Sequence, residues 1–283
     1  MKIIFLGTNG WYDTPTGNTL CILIVTSEAN IVLDAGNGFT KLDRVLSEGQ
    51  PIFLFLSHFH LDHVIGLHTL FKFSFSQKLT ISGPKGTGKV LRAILKQPFT
   101  APLDRLSYET EILEMPGSEH RFPFPVTAMD LVHPPLSMGY RFTLEGKTIA
   151  YCPDTGYCDN AVALATGADL VISECSFLPG EDSPEWPHLN PQLAARIAKE
   201  AGARRLAEPR TGDRDDAGPA QPRQRRHHGD DAEREDEQGD PRDASRRRRS
   251  GGGGRDRRRR GRRGRLHRGG DLPGRRRHFD RPR

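Results

Sequence analysis

The chain has 283 residues, enough for one large domain or two small ones, and its formal net charge of +6 is unevenly placed. Residues 1–206 carry 17 basic and 21 acidic side chains, a net charge of −4, whereas residues 207–283 carry 25 basic side chains, every one Arg, against 15 acidic, a net of +10. The basic pI therefore belongs to the tail, which excludes reading the first part as a nucleic-acid binder from overall charge. In chain order, apolar runs broken by Gly, Asn and Asp turns predict strands over residues 2–6, 19–26, 31–33 and 51–56. Helical spacing of Leu42, Val45 and Leu46 marks 39–47, and Leu67, Leu70 and Phe71 mark 64–71. Strands follow near 79–82, 126–133, 139–144, 148–152 and 170–173, with helices over 86–95 and 190–201. Asn190-Pro191 supplies the last helix with an N-cap and a Pro at its first position. Strands outnumber helices, which predicts an α/β chain folded as a four-layer αββα sandwich.

The most restrictive segment is His58-Phe59-His60-Leu61-Asp62-His63, four potential metal ligands in six residues after the apolar run Pro51-Ile52-Phe53-Leu54-Phe55-Leu56. His58 and His60 are two apart, so at a strand end their imidazoles share a side. Asp62 and His63 follow where the chain must bend and can address a second ion near the first. Neutral imidazole plus carboxylate suits zinc, with manganese or iron also admissible. The alternative, scattered polar loop residues, sits poorly with so apolar a strand. His133 and Asp154 each end a further predicted strand. Alone, His133 reads equally as a capped core histidine and Asp154 as a turn residue; beside the cluster, a carboxylate suits a bridge between two ions. Cys152 and Cys158 fit no zinc spacing and are expected to be buried small hydrophobes. His68 is expected on the surface, and His120 has no ligand context.

The pattern His-x-His-x-Asp-His at 58–63, His133 and Asp154-Thr155-Gly156 resembles the metallo-β-lactamase-fold hydrolases. Gly7-Thr8, Gly139-Tyr140-Arg141, Tyr151-Cys152-Pro153-Asp154, Ser173-Glu174-Cys175 and His188 resemble the ribonuclease Z-like phosphodiesterase branch. By that resemblance His58, His60 and His133 hold one zinc, Asp62 and His63 the other, and Asp154 is shared. The resemblance also implies zinc-dependent phosphodiester hydrolysis of RNA or a small, even cyclic, diester. Asp62 would orient the nucleophile, and His188 would contact the phosphate or assist the leaving oxygen. A homodimer is implied in the same way. Two departures stand out. Only 20 residues separate His133 from Asp154, too few for the arm with which ribonuclease Z grips tRNA. The family's last zinc-ligand histidine, at the end of the strand after the 190–201 helix, has no counterpart in Arg204-Arg205-Leu206-Ala207-Glu208-Pro209-Arg210, so the second site is expected to be incomplete. Other readings are an acyl hydrolase of the same fold (a lactonase or thioesterase) and an inactive metal-binding remnant with an RNA-binding basic tail.

Residues 1–206 thus form the expected hydrolase domain, its closing strand and final helix expected to be missing. Residues 207–283 have Leu266, Leu272 and Phe279 as their only large apolar side chains and are expected to stay disordered. Their Arg, Gly, Asp, Pro and Ala all have GC-rich codons, the composition of a frameshift product. One base out of frame, the codons of Ala207-Glu208-Pro209-Arg210 permit Leu, Ser and His, which would restore the missing strand-end histidine. Met1-Lys2-Ile3-Ile4-Phe5-Leu6 meets Gly7 too soon for a signal peptide, and no run nears the ~20 apolar residues of a membrane span. A cytoplasmic protein with reduced thiols and no membrane partner is expected.

Overall fold

The computed structural model of the chain describes residues 1–47 and 49–209. Six strands, β1 (Lys2–Gly7), β2 (Cys21–Val25), β3 (Asn30–Leu33), β4 (Ile52–Phe55), β5 (Leu79–Pro84) and β6 (Thr110–Met115), form one sheet in that order. Its first two pairings are antiparallel and the remaining three parallel. The second sheet is built from β7 (Val126–Leu131), β8 (Ser137–Leu144), β9 (Lys147–Cys152), β10 (Leu170–Ser173) and β11 (Leu206–Ala207), in the order β11-β10-β9-β8-β7.

Alternation along the strands explains the layers. On β2, Ile22 and Ile24 join Phe55 of β4 against Tyr140, Phe142 and Tyr151 of the second sheet, forming the core between the sheets. The intervening Cys21 and Leu23 face outward to Phe39, Leu42, Leu67 and Leu91. Behind the second sheet, Ala150 and Cys152 pack on α3 (Asp159–Ala165) and α4 (Pro191–Glu200) through Leu164, Ala194 and Ile197. Both faces of both sheets are therefore covered, which is the four-layer sandwich. The strands read as continuous apolar runs because they are buried twice over.

Three expectations change. Residues 37–44 and 65–72 are 3-10 helices, and only the turn α1 (Leu61–Val64) between β4 and the second of these is α-helical. The backbone is crowded where these segments meet: a Cβ on Gly66 would lie 2.2 Å from the Gly36 carbonyl oxygen, and one on Gly36 would lie 2.3 Å from that of Asp62. Secondly, β6 and α3 were not predicted. β6 is an edge strand carrying Glu111 and Glu114, the kind of charged edge that blunts the hydrophobic signal. Thirdly, the closing strand is not wholly missing. Leu206 and Ala207 pair with Val171 and Ile172 in parallel, covering part of the β10 edge; any final helix lies outside the described residues, as does the predicted tail beyond 209. The helix α2 (Thr87–Ile94) matches its prediction, and Asn190 caps α4 by accepting from the Leu193 amide at 2.9 Å.

Between His133 and Asp154 the chain forms the β8–β9 hairpin and nothing longer. Leu144 pairs with Lys147 around Glu145 and Gly146, both at positive φ as a tight two-residue turn requires. None of the four cysteines forms a disulfide. No helix among the described residues is long and apolar enough to cross a membrane.

Candidate metal centre

The six-residue cluster leaves β4 and enters α1, so its side chains collect at the carboxyl end of the parallel strands. Two hydrogen bonds from the second sheet clamp the segment: Tyr140 OH donates to the Leu56 carbonyl at 2.7 Å and the Met138 amide to the Ser57 carbonyl at 2.9 Å. The ends of β7 and β9 then deliver His133 and Asp154 to the same spot. His58 Nε2 lies 3.0 Å from His60 Nδ1, which lies 3.3 Å from His133 Nε2. Asp154 Oδ2 stands 3.9 Å from His58 Nε2 and 4.0 Å from His133 Nε2. These four ligand atoms all fall within 4.8 Å of one another.

The tautomers agree with that convergence. His58 Nδ1 donates to Ser57 Oγ at 2.9 Å and His133 Nδ1 to the Pro187 carbonyl at 3.3 Å, which leaves the Nε2 lone pairs turned inward. Burial lowers the pKa of His58, His60 and His133, so each is neutral near pH 7. Nitrogen ligands ~2.0–2.1 Å from one tetrahedral ion stand roughly 3.3 Å apart. The donor set therefore fits a divalent ion with nitrogen and oxygen ligands.

Asp62 and His63 form a second group. His63 Nε2 is 3.5 Å from Asp62 Oδ2 and 3.4 Å from Asp154 Oδ1. Asp154 thus offers Oδ2 to the three-histidine group and Oδ1 to His63, the disposition of a shared carboxylate. Burial works against charge on both His63 and Asp154. Their mutual attraction, with Asp34 also acting on His63, nevertheless raises the His63 pKa and lowers that of Asp154. Asp62 Oδ2 also accepts the Trp11 amide at 2.7 Å.

Two supporting carboxylates had no role assigned from sequence: Asp34 was passed over, and Glu174 appeared only within the Ser173-Glu174-Cys175 motif. Asp34, fully buried at positive φ, accepts from His63 Nδ1 (3.0 Å), Ser57 Oγ (2.8 Å) and Tyr151 OH (2.5 Å), fixing the ring that faces Asp154. The signal for it lay in Leu33-Asp34-Ala35-Gly36, a carboxylate ending an apolar strand just before a glycine. Glu174 accepts the Thr155 amide at 2.7 Å and His188 Nδ1 at 2.8 Å through Oε1, while Ser176 bonds to Oε2. Asp154, Glu174 and His188 also lie within 4.8 Å of one another, but these bonds already occupy both Glu174 oxygens, so that trio is a hydrogen-bond network. Burial opposes charge on His188, yet Glu174 raises its pKa. His68 is exposed as expected, with Nδ1 bonded to the Ile65 carbonyl, and His120 lies in a short exposed 3-10 turn far along the chain from the cluster. Cys152 is buried and Cys158 half-buried.

With this geometry in place, comparison with known proteins is decisive at the level of family. The profile of the Beta-lactamase superfamily domain matches residues 29–207. The chain belongs to this superfamily. Among its relatives, "Probable metallo-hydrolase YhfI" of Bacillus subtilis (strain 168) is 28% identical over 222 residues, spanning 73% of this chain and 85% of that protein. "Ribonuclease Z" of Pyrococcus abyssi (strain GE5 / Orsay) is 26% identical over 264 residues, spanning 73% and 85%. The crystal structure of the short form of human tRNase Z superposes with a TM-score of 0.62 at 25% identity, covering 76% of this chain and 93% of that one. The superfamily member described here is accordingly a metallo-β-lactamase-fold hydrolase with ribonuclease Z-like relatives.

Proposed function

We propose that this chain hydrolyses phosphodiesters with two divalent ions, zinc being the best match to the donor set. The observation that carries this reading is the placement of Asp154 between two histidine groups, with His188 beside it on a buried glutamate. His58, His60 and His133 would hold one ion, Asp62 and His63 the other, and Asp154 both. Bound there, two divalent cations supply charge stabilisation to phosphoryl oxygens and lower the pKa of water.

The chain's own groups do the rest. The Trp11 amide holds Asp62 in one orientation, which lets its carboxylate align the attacking water. Asp34 keeps the proton of His63 on Nδ1, leaving Nε2 directed at Asp62 and Asp154. Glu174 does the same for His188, so in the protonated ring Nε2–H is free to face the substrate. The attacking water gives up one proton to bulk solvent; as its oxygen bonds to phosphorus and the bond to the leaving oxygen breaks, the His188 Nε2 proton passes to that oxygen, and solvent returns a proton to His188. Relatives named ribonuclease Z support a phosphodiester, and the bare β8–β9 hairpin favours a small diester over a large folded RNA. The composition change after 206, together with a family match ending at 207, supports a hydrolase domain closing there.

The test is hydrolysis of bis(p-nitrophenyl) phosphate against a panel of lactones and thioesters, with zinc or manganese added. Diester turnover that falls in His188→Ala is expected. Turnover of a lactone or thioester with none of the diester would overturn the reading in favour of an acyl hydrolase.

A further inference from the structure

Beside the metal centre stand two tryptophans, the only ones in the chain, and neither is buried. Trp11 is 70% exposed and Trp186 39% exposed. Large aromatic side chains bring the most stabilisation when buried, and an exposed indole gives that up. Trp11 is nonetheless held in place. Its backbone is left-handed at φ 65°, and its amide is tied to Asp62 at 2.7 Å. The loop that carries it is braced by Asp13, which accepts from the Thr19 amide (2.7 Å), Asn18 Nδ2 (3.0 Å) and Asn37 Nδ2 (2.8 Å). Strained backbone with several fixed bonds marks a position shaped for a task. Trp186 stacks on the His60 imidazole, with centroids 5.5 Å apart and planes 17° apart, and meets Trp11 edge-to-face at 6.4 Å. The two indoles thus continue the wall of the metal centre outward, ending in the exposed ring of Trp11.

We infer that Trp11, backed by Trp186, is the stacking platform for a nucleobase of the substrate, so that the site selects nucleoside phosphodiesters over diesters lacking a base. The inference rests on the phosphodiesterase reading and narrows its substrate class. The occupant follows from position: whatever covers Trp11 lies against the carboxylate and imidazole that would hold the ions, so it is part of the reacting molecule. Base stacking on an aromatic side chain tolerates any base and requires only an open ring face, which Trp11 has.

The test compares two diesters that release the same p-nitrophenolate, thymidine 5′-(p-nitrophenyl) phosphate and methyl p-nitrophenyl phosphate, using metal-loaded protein. Trp11→Ala keeps the backbone amide that bonds Asp62. It is expected to lower the ratio of kcat/KM for the thymidine ester to kcat/KM for the methyl ester roughly 5- to 150-fold. Trp11→Phe should restore most of the loss. Independently of turnover, adenosine 5′-monophosphate should quench tryptophan fluorescence of the wild type saturably, and Trp11→Ala should bind it correspondingly more weakly. Equal losses on both esters would make Trp11 a structural residue and overturn the inference. So would normal hydrolysis of both esters by wild type with no preference for the thymidine ester, a result that leaves the phosphodiesterase reading standing. Hydrolysis of neither ester, with saturable quenching retained, would overturn that reading alone. A wild-type dimer that Trp11→Ala dissociates in sedimentation would show a second copy on the platform, again overturning it.

Discussion

The two halves of the metal centre are built differently. The His58–His60–His133 half draws three neutral imidazoles from two separate chain segments and needs little outside support beyond Ser57 and the Pro187 carbonyl. The Asp62–His63 half has fewer donors among the described residues, yet it is held far more heavily, by Asp34, Ser57, Tyr151 and the Trp11 amide. One half is rich in ligands; the other is rich in the bonds that orient ligands. On the proposed mechanism, metal affinity should follow the first property and control over the reacting groups the second.

That contrast can be broken first at the residue common to both halves. Asp154→Ala should remove binding of both ions and abolish hydrolysis, exceeding the ~10–100-fold that losing an outer hydrogen bond to a ligand costs; metal content after dialysis measures it. His188→Ala should lower kcat by roughly 10²–10⁴-fold while leaving metal content unchanged, which separates it from the ligands. Asp34→Asn should weaken the Asp62–His63 half selectively, by about 10–100-fold in metal affinity, read by chelator competition. In the unaltered chain the same titration should show one ion held more tightly than the other. Two ions of equal affinity would contradict the contrast itself. The gene read one base out of frame after codon 206 should supply a strand-end histidine, and resequencing shows whether it does.

The smallest effect lies far from the site. Glu145 accepts the Ser27 amide at 2.7 Å and pairs with the Met1 ammonium at 2.8 Å, which pulls its pKa from 4.5 down to about 2. A carboxylate with a lowered folded-state pKa stabilises the fold above its unfolded value and loses that contribution as pH falls toward the folded one. Thermal unfolding followed between pH 5 and about 2 should therefore show a slightly shallower acid decline in Glu145→Gln than in the wild type. Metal binding should be unaffected at neutral pH.

Much of this was legible along the chain because it is local. The apolar runs of β2, β4, β9 and β10 and the ligand run at 58–63 need only a few neighbouring residues to show their character. The capped start of α4 was equally plain, since Asn190 and Pro191 act on their own backbone. The close approach of Gly36 and Gly66 was not, because it joins backbone segments 30 residues apart across the fold. The role of Asp34 was hidden for a similar reason: its partners Ser57, His63 and Tyr151 are 23, 29 and 117 residues away.

By itself the sequence determined the family, the four-layer plan and the identity of the metal-ligand candidates, since continuous apolar runs and dense His/Asp spacing are properties of short segments. Only the tertiary structure decided which oxygen of Asp154 faces which histidine group, which carboxylates fix His63 and His188, and that Trp11 stands open beside the cluster. Those are relations of distance and orientation between strand ends, set by how two sheets pack rather than by any single stretch of chain.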